Sequence, residues 1–285
     1  MDCLRIGLGN AVLKHEISSQ AINPMNYRKS LLTLALCALS AIPTAKAEPA
    51  TASGLAVKNG DKIAFLGDSI TQAGNRKGGY VALVMEALKA EGLQVTHIPA
   101  GKSGNKSNDM LARLDKDVIE KKPQWMVLSC GVNDVWHFKL KLGERSFTGV
   151  PLEDYKRNIT EIIDKAQAAD IKILVLTSTM IGEDQSRELN QNLIPYNDFL
   201  KEIAKEKGCL LADLNADMQA ALKEIPDVKG KANMFGDPGY KSEIRNKLTS
   251  DGCHMNAPGN VMMAKGVLRG FGMPEDRIKA WQEKR

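Results

Sequence analysis

Ser69 stands in Gly67-Asp68-Ser69, between an apolar run and a glycine-containing stretch, "FLGDSITQAG". A serine hydroxyl becomes a useful nucleophile only when a neighbouring base takes its proton. Residues 48–285 hold three histidines, His97, His137 and His254. His97 lies within "VTHIP", where a packed histidine is the plain expectation. His137 follows Trp136 in a loop, a position from which it could line a substrate pocket. His254 alone has an acid close by in sequence, Asp251 in "SDGCHMN". A separation of three residues in a loop or single turn lets that carboxylate reach the second ring nitrogen, fixing the tautomer and stabilising the imidazolium. The same spacing arises often by chance, so the pair decides nothing alone.

Acyl transfer also needs donors aimed at the oxyanion that develops. Gly104 of "AGKSGN" can offer its backbone N–H, Asn133 of "CGVND" its side-chain N–H, and Ser69 its own amide. Taken singly, Gly104 reads as a turn glycine and Asn133 as a strand-ending cap. Their weight comes from the elements that carry them. Apolar runs at 62–67, 93–100, 125–131, 171–178 and 208–214 read as buried strands. Amphipathic stretches at 78–92, 108–122, 152–170, 195–207, 216–224 and 257–272 read as helices, with a polar tail helix behind. The helix at 108 is expected to start on an Asn/Asp cap and to stop before Pro123. This alternation predicts βαβ units and a parallel sheet with helices on both faces. The expected fold class is α/β, a flavodoxin-like three-layer α/β/α sandwich with a five-stranded parallel sheet. Such sheets bind ligands at the carboxyl ends of their strands. Ser69, "PAGKSGN" (99–105), "CGVND" (130–134) and "SDGCHMN" (250–256) all fall at one such edge. The long connections 135–151, 179–194 and 225–250 are expected to wall a cleft there and set substrate choice.

In this order, the four blocks resemble those of the SGNH (GDSL) hydrolases, over about residues 62–272. The resemblance implies Ser69 as nucleophile, His254 as base and Asp251 as its orienting acid. It implies an oxyanion hole of the Ser69 amide, Gly104 and Asn133, with Gly101 as the turn glycine before it. It also implies an α/β/α fold with no metal and no organic cofactor. Asp68, Trp136 and His137 are expected to contact substrate. Two positions depart from the family pattern. Pro99 stands where asparagine is frequent, and Cys253 where an aliphatic residue is usual. Cys130 and Cys253 could pair across the cleft if their Cα atoms lie within ~7 Å, although two separate buried thiols are the simpler expectation.

Composition narrows the setting. The 285 residues carry 39 basic and 34 acidic side chains, a net charge of +5. Within residues 1–47 lie five of the basic residues (Arg5, Lys14, Arg28, Lys29, Lys46) and two of the acidic ones (Asp2, Glu16), leaving 34 against 32 beyond them. No basic stripe remains to argue for nucleic acid. Arg28-Lys29, the apolar "LLTLALCALSAI" and "PTAKA" read as a secretory signal peptide, with translation starting at Met25 and cleavage after Ala47. The apolar run falls short of the ~20 residues of a membrane span, and Leu36 before Cys37 does not suit lipoprotein processing. Residues 48–285 suit one domain, exported to the periplasm or beyond and not inserted in a membrane. Cys130, Cys209 and Cys253 make neither a disulfide framework nor a zinc site.

"AGKSGNKS" invites comparison with a phosphate loop, but Thr96 stands where that pattern requires glycine. The expectation is therefore a serine esterase working through an acyl-enzyme on a small-molecule or polysaccharide ester. The connections contain few long apolar runs, which favours a short acyl group such as acetyl on a carbohydrate. Trp136, Tyr80 and Tyr240 are the candidate sugar-stacking faces. A lysophospholipase, general lipid esterase or thioesterase is the alternative. From another class, a catalytically inactive carbohydrate-binding protein would keep the fold without turnover.

Overall fold

The computed structural model describes residues 54–285; the expected translation start and cleavage site lie outside them. In chain order the elements are β1 (Lys62–Gly67), α1 (Ser69–Gly74), α2 (Tyr80–Ala90), β2 (Thr96–Gly101), α3 (Ser107–Asp117), β3 (Trp125–Ser129), α4 (Val132–Trp136), β4 (Lys141–Leu142), β5 (Arg145–Ser146), α5 (Leu152–Ala168), β6 (Lys172–Leu176), α6 (Glu188–Glu206), β7 (Leu210–Ala212), α7 (Leu214–Glu224), α8 (Ala257–Gly270) and α9 (Glu275–Glu283). Five strands form one sheet in the order β2-β1-β3-β6-β7, every pairing parallel.

β1, β3 and β6 are the most apolar strands because they lie inside the sheet and are covered on both faces. Helices α2 and α8 pack together, with α7 and α9 against α8; α3, α5 and α6 form a second packed series. Ile63, Phe65, Leu66, Met126 and Leu128 are fully buried between these helical layers. The chain leaves β1 toward β2 on one side and returns to β3 on the other. Strand order therefore reverses between β1 and β3, which opens a crevice at their carboxyl ends. Ser69 and Asn133 both emerge there.

Several expected boundaries shift. The fourth long helix begins at Glu188 rather than Pro195, which sits inside it. Proline frees the carbonyl four residues earlier, here on Gln191, and both residues are exposed, so water can satisfy it. Helix α3 ends at Asp117 and a 3₁₀ turn, Ile119–Lys121, follows before Pro123. Its entry uses Asp109 differently from a cap: the carboxylate accepts the Lys106 N–H at 3.0 Å from inside the first turn. Pro99 is accommodated because β2 is an edge strand with only β1 beside it. The two-residue strands β4 and β5 form a hairpin across Gly143 at φ +62°, which the hydropathy pattern does not announce.

Tyr80 is a core residue. It is fully buried, its hydroxyl lies 2.8 Å from the Thr71 Oγ1, and its ring meets Phe65 edge-on at 6.3 Å. It does not reach the cleft, contrary to its expected role as a sugar-stacking face.

Candidate active site

β1 delivers Gly67 and then Asp68, whose Oδ1 accepts the Ile70 N–H at 2.8 Å and starts α1. This turn exposes the Ser69 hydroxyl at the crevice. The loop after β2 must come close beside it, and Gly101 permits that: a Cβ there would sit 2.4 Å from the Gln72 backbone nitrogen. Gly101 is thus required for close approach of two backbones, where a turn glycine was expected. The loop is then stitched down. Lys102 N–H donates to the Gly67 carbonyl at 3.0 Å, and Ser103 N–H to Gln72 Oε1 at 2.8 Å. Arg113 donates from Nε to Asn105 Oδ1 at 2.6 Å and from its terminal nitrogen to the Gly67 carbonyl at 2.9 Å. Gly104, at φ +75°, tops this loop, and its N–H has no acceptor among the described residues.

From the β3 side, Asn133 is 3 % exposed at the start of α4 and donates from Nδ2 to the Asn105 carbonyl at 3.0 Å. That bond fixes its amide plane. Cys130, just before, has its carbonyl held by the Tyr155 hydroxyl at 3.0 Å and the Ser178 hydroxyl at 2.8 Å.

The fourth segment is a closed loop. An isolated bridge pairs Thr249 with Met255, and Ser250 N–H donates to the His254 carbonyl at 2.8 Å. Inside it, Asp251 Oδ1 accepts the amides of Cys253 (3.1 Å) and His254 (2.8 Å), while Oδ2 lies 2.8 Å from His254 Nδ1. His254 Nε2 lies 2.8 Å from Ser69 Oγ. The hydrogen bond to Asp251 raises the His254 pKa above the ordinary imidazole value, against the opposing effect of burial. Burial pushes Asp251 upward, but the bonds from the His254 ring and amide hold its carboxyl below the usual range.

Ser69, Gly104, Asn133, Trp136, His137 and His254 share the lining of one cavity of about 560 Å³. Asp251 stands behind His254. The remaining walls include Leu142 and Arg145 of the β4–β5 hairpin, and Phe147 and Phe235. Burial lowers the His137 pKa to about 4, with the Lys106 charge adding to the effect; His137 is therefore neutral at physiological pH. Phe235 is 44 % exposed and meets Trp136 edge-on at 5.9 Å. Nothing in the local sequence marks Phe235, Gln72 or Arg113 as parts of a site, since each becomes one only through long-range packing.

Asp68 does not line the cavity. It is 2 % exposed, facing inward, and burial raises its pKa to about 6. Tyr240 lies in a different cavity with Glu183 and Arg245, its ring covered by the Arg187 guanidinium at 4.6 Å. His97 packs edge-on against Phe65 on β2, away from the cavity. Cys130 and Cys253 are both free and buried, with Cys130 Sγ 3.5 Å from Asp134 Oδ2 rather than bonded to its fellow thiol. Among the described residues, no group of three or more His, Cys, Asp or Glu side chains is placed to hold a metal ion, and no helix is long and apolar enough to cross a membrane.

Comparison with known proteins gives the family of the chain. Residues 65–261 match the GDSL-like lipase/acylhydrolase family. An acetylxylan esterase of Geobacillus stearothermophilus is 27 % identical over 229 residues, spanning 76 % of this chain and 96 % of that one. The solved structure of Axe2, an acetylxylan esterase from Geobacillus stearothermophilus, is 27 % identical and superposes with a TM-score of 0.64, covering 76 % of this chain and 97 % of that one. The structure of an acetyl xylan esterase named AlAXEase is 37 % identical, with a TM-score of 0.61, covering 73 % of this chain and 98 % of that one. Esterase TesA of Pseudomonas aeruginosa is 31 % identical over 116 residues, 40 % of this chain and 52 % of that protein. Spanning the sheet, the crevice and the loop that carries His254, these matches make the chain a member of the GDSL-like lipase/acylhydrolase family and an ester-hydrolysing enzyme.

Proposed function

We propose that this enzyme is an exported serine esterase that removes acetyl groups from a carbohydrate through an acyl-enzyme. The observation that carries the reading is the unbroken relay Ser69 Oγ to His254 Nε2, then His254 Nδ1 to Asp251 Oδ2, each step 2.8 Å. In the first step Ser69 Oγ bonds to the ester carbonyl carbon while its proton passes to His254. The resulting oxyanion takes hydrogen bonds from the Ser69 amide, the Gly104 amide and the second Nδ2 hydrogen of Asn133, an amide group having two to give. The bond to the sugar oxygen then breaks, and His254 returns its proton to that oxygen. Water repeats the sequence on the acetyl-enzyme, releasing acetic acid and restoring Ser69.

Substrate choice rests on two supports. The cavity walls are mixed in character, with the exposed Phe235 and the partly buried Phe147 beside polar Asn105 and Thr148, while Trp136, 4 % exposed, backs the wall as a core residue. The two acetylxylan esterases matched above span nearly their whole length. Export rests on the leader-like residues 25–47.

The test is hydrolysis of p-nitrophenyl acetate by residues 48–285, beside the Ser69→Ala variant, followed by an acyl-length series and acetate release from acetylated xylan. Activity confined to acetyl and propionyl esters, lost in Ser69→Ala, is the expected result. A rate that climbs with chain length would favour a lipid substrate. Turnover that survives Ser69→Ala would overturn the nucleophile.

A further inference from the structure

The loop that carries Asp251 and His254 has no secondary structure of its own, and something outside it must fix its position. Glu183, in the connection after β6, is where that support converges. Its Oε1 accepts the Leu248 amide at 2.8 Å, the Thr249 amide at 2.7 Å and the Thr249 hydroxyl at 2.8 Å; its Oε2 accepts the Lys247 amide at 2.6 Å. Three successive backbone N–H groups turned onto one carboxylate form an anion-binding nest, and each bond is charge-assisted. Beside this contact, the Gly182 N–H donates to the Gly252 carbonyl at 2.6 Å.

Glu183 is itself held by the fold. Asn190, 5 % exposed in the first turn of α6, accepts the Ile181 N–H at 2.8 Å. Its Nδ2 donates to the carbonyls of Gly182 at 2.8 Å and Asp184 at 2.9 Å. A continuous path therefore runs from α6 through Asn190 and Glu183 to Thr249, the base of the closed loop. Thr249 passes it on, its Oγ1 accepting the Gly252 N–H at 3.1 Å, one residue from Asp251.

We propose that Glu183 is a positioning residue for the reaction, clamping the base of the 249–255 loop so that Asp251 and His254 stand in register with Ser69. The inference rests on the Ser69–His254–Asp251 reading above and adds the part that sets its geometry. Misplacement of reacting groups by about 1 Å can lower a rate ~10²-fold. Glu183→Ala removes all four bonds and is expected to lower kcat by about that factor. Glu183→Gln can keep its oxygen toward Leu248 and Thr249 and lose only the Lys247 bond, and is expected to lose ~3- to 10-fold. Because the ester is not touched, KM for p-nitrophenyl acetate stays within about twofold of wild type.

A residue that served only stability would not move the pH profile of the sites that remain folded. The charged groups acting on the His254 ring are Asp251 and Asp68; Asp184, Asp227, Arg245 and Lys247 share the cavity beside Glu183. Loosening the loop weakens the Asp251 bond first, so the acid limb of kcat/KM moves to lower pH in Glu183→Ala. The experiment measures kcat, KM and this limb per active site, counted with a serine-directed fluorophosphonate, for wild type and both Glu183 variants, with Ser69→Ala assayed per mole of folded protein. Loss of kcat in the order Gln then Ala, with a falling limb and steady KM, supports the assignment. Wild-type kcat and limb per titrated site in Glu183→Ala overturn it. Should that variant not fold, Glu183→Gln, which keeps the bonds to Leu248 and Thr249 and loses the one to the Lys247 amide, decides on the same two readouts. Ser69→Ala separates the two levels, since turnover persisting there defeats the relay itself, whatever Glu183 does.

Discussion

Replacing Asp251 with asparagine changes one atom and has a definite expected consequence. Oδ1 of Asp251 accepts two backbone N–H groups, from Cys253 and His254. An asparagine must keep its oxygen there, because an NH₂ group would face two donors. Its NH₂ is then aimed at His254 Nδ1, 2.8 Å away in the wild type. Nδ1 becomes the acceptor, and the ring proton is forced onto Nε2, the nitrogen that must receive the Ser69 proton. An enforced wrong tautomer of this kind costs about 10⁴ in kcat, or about 5 kcal/mol of transition-state stabilisation, with KM little changed. The pH profile supplies a second readout. In the wild type the Asp251 bond raises the His254 pKa, so the base is neutral only above the ordinary imidazole value and the acid limb of kcat/KM lies above ~6.5. Without that carboxylate, burial of the ring dominates and the residual activity shows its limb at lower pH. Initial rates on p-nitrophenyl acetate from pH 4.5 to 9 measure both. An asparagine variant within tenfold of wild type, or one whose limb does not move, would refute the assigned role of Asp251.

Asn133→Ala is expected to lower kcat ~10²–10³-fold while leaving the fold intact, read as turnover per titrated site. Phe235→Ala should raise KM for acetylated xylo-oligosaccharides roughly 5- to 10-fold and leave p-nitrophenyl acetate hydrolysis unchanged, because only a sugar reaches the exposed ring. Asp68 has a folded pKa raised to about 6 by burial. Its protonated form therefore favours the fold, and that contribution is full below the unfolded value near 3.8 and lost as pH rises through 6. Asp68→Asn should gain up to about 3 kcal/mol in urea unfolding at pH 8 and almost nothing at pH 4; an equal difference at both pH values would contradict a buried carboxyl.

The sequence discloses the chemistry of this protein more readily than its mechanics. Ser69, Gly104 and Asn133 could be singled out because each follows an apolar run that reads as a strand, and His254 because Asp251 stands three positions before it. The strands themselves are legible because β1 and β3 are buried on both faces and read as unbroken apolar runs. What supports the site is not local. Glu183 looks like any loop carboxylate until residues 247–249, more than sixty positions later, turn their amides onto it. Arg113 looks like an exposed helix residue until it reaches both Asn105 and Gly67. Aromatic residues mislead in the other direction, since Tyr80 and Phe235 are equally plausible wall residues by type. Only packing puts Tyr80 against Phe65 and Thr71 in the core and Phe235 on the wall of the cavity. Pro195 shows the limit of a local breaker signal, because an exposed helix face tolerates the bond it removes.

The hydrogen bond between Ser69 and His254 spans 185 positions, and Tyr80 N–H reaches Asn260 Oδ1 across 180. The proposed nucleophile is therefore made 185 positions before the proposed base. In the proposed reaction neither residue suffices alone, so the activity depends on the packing of α2 with α8 that holds these distant segments together. On that reading, hydrolysis of a chromogenic ester during refolding reports when these distant segments have come together.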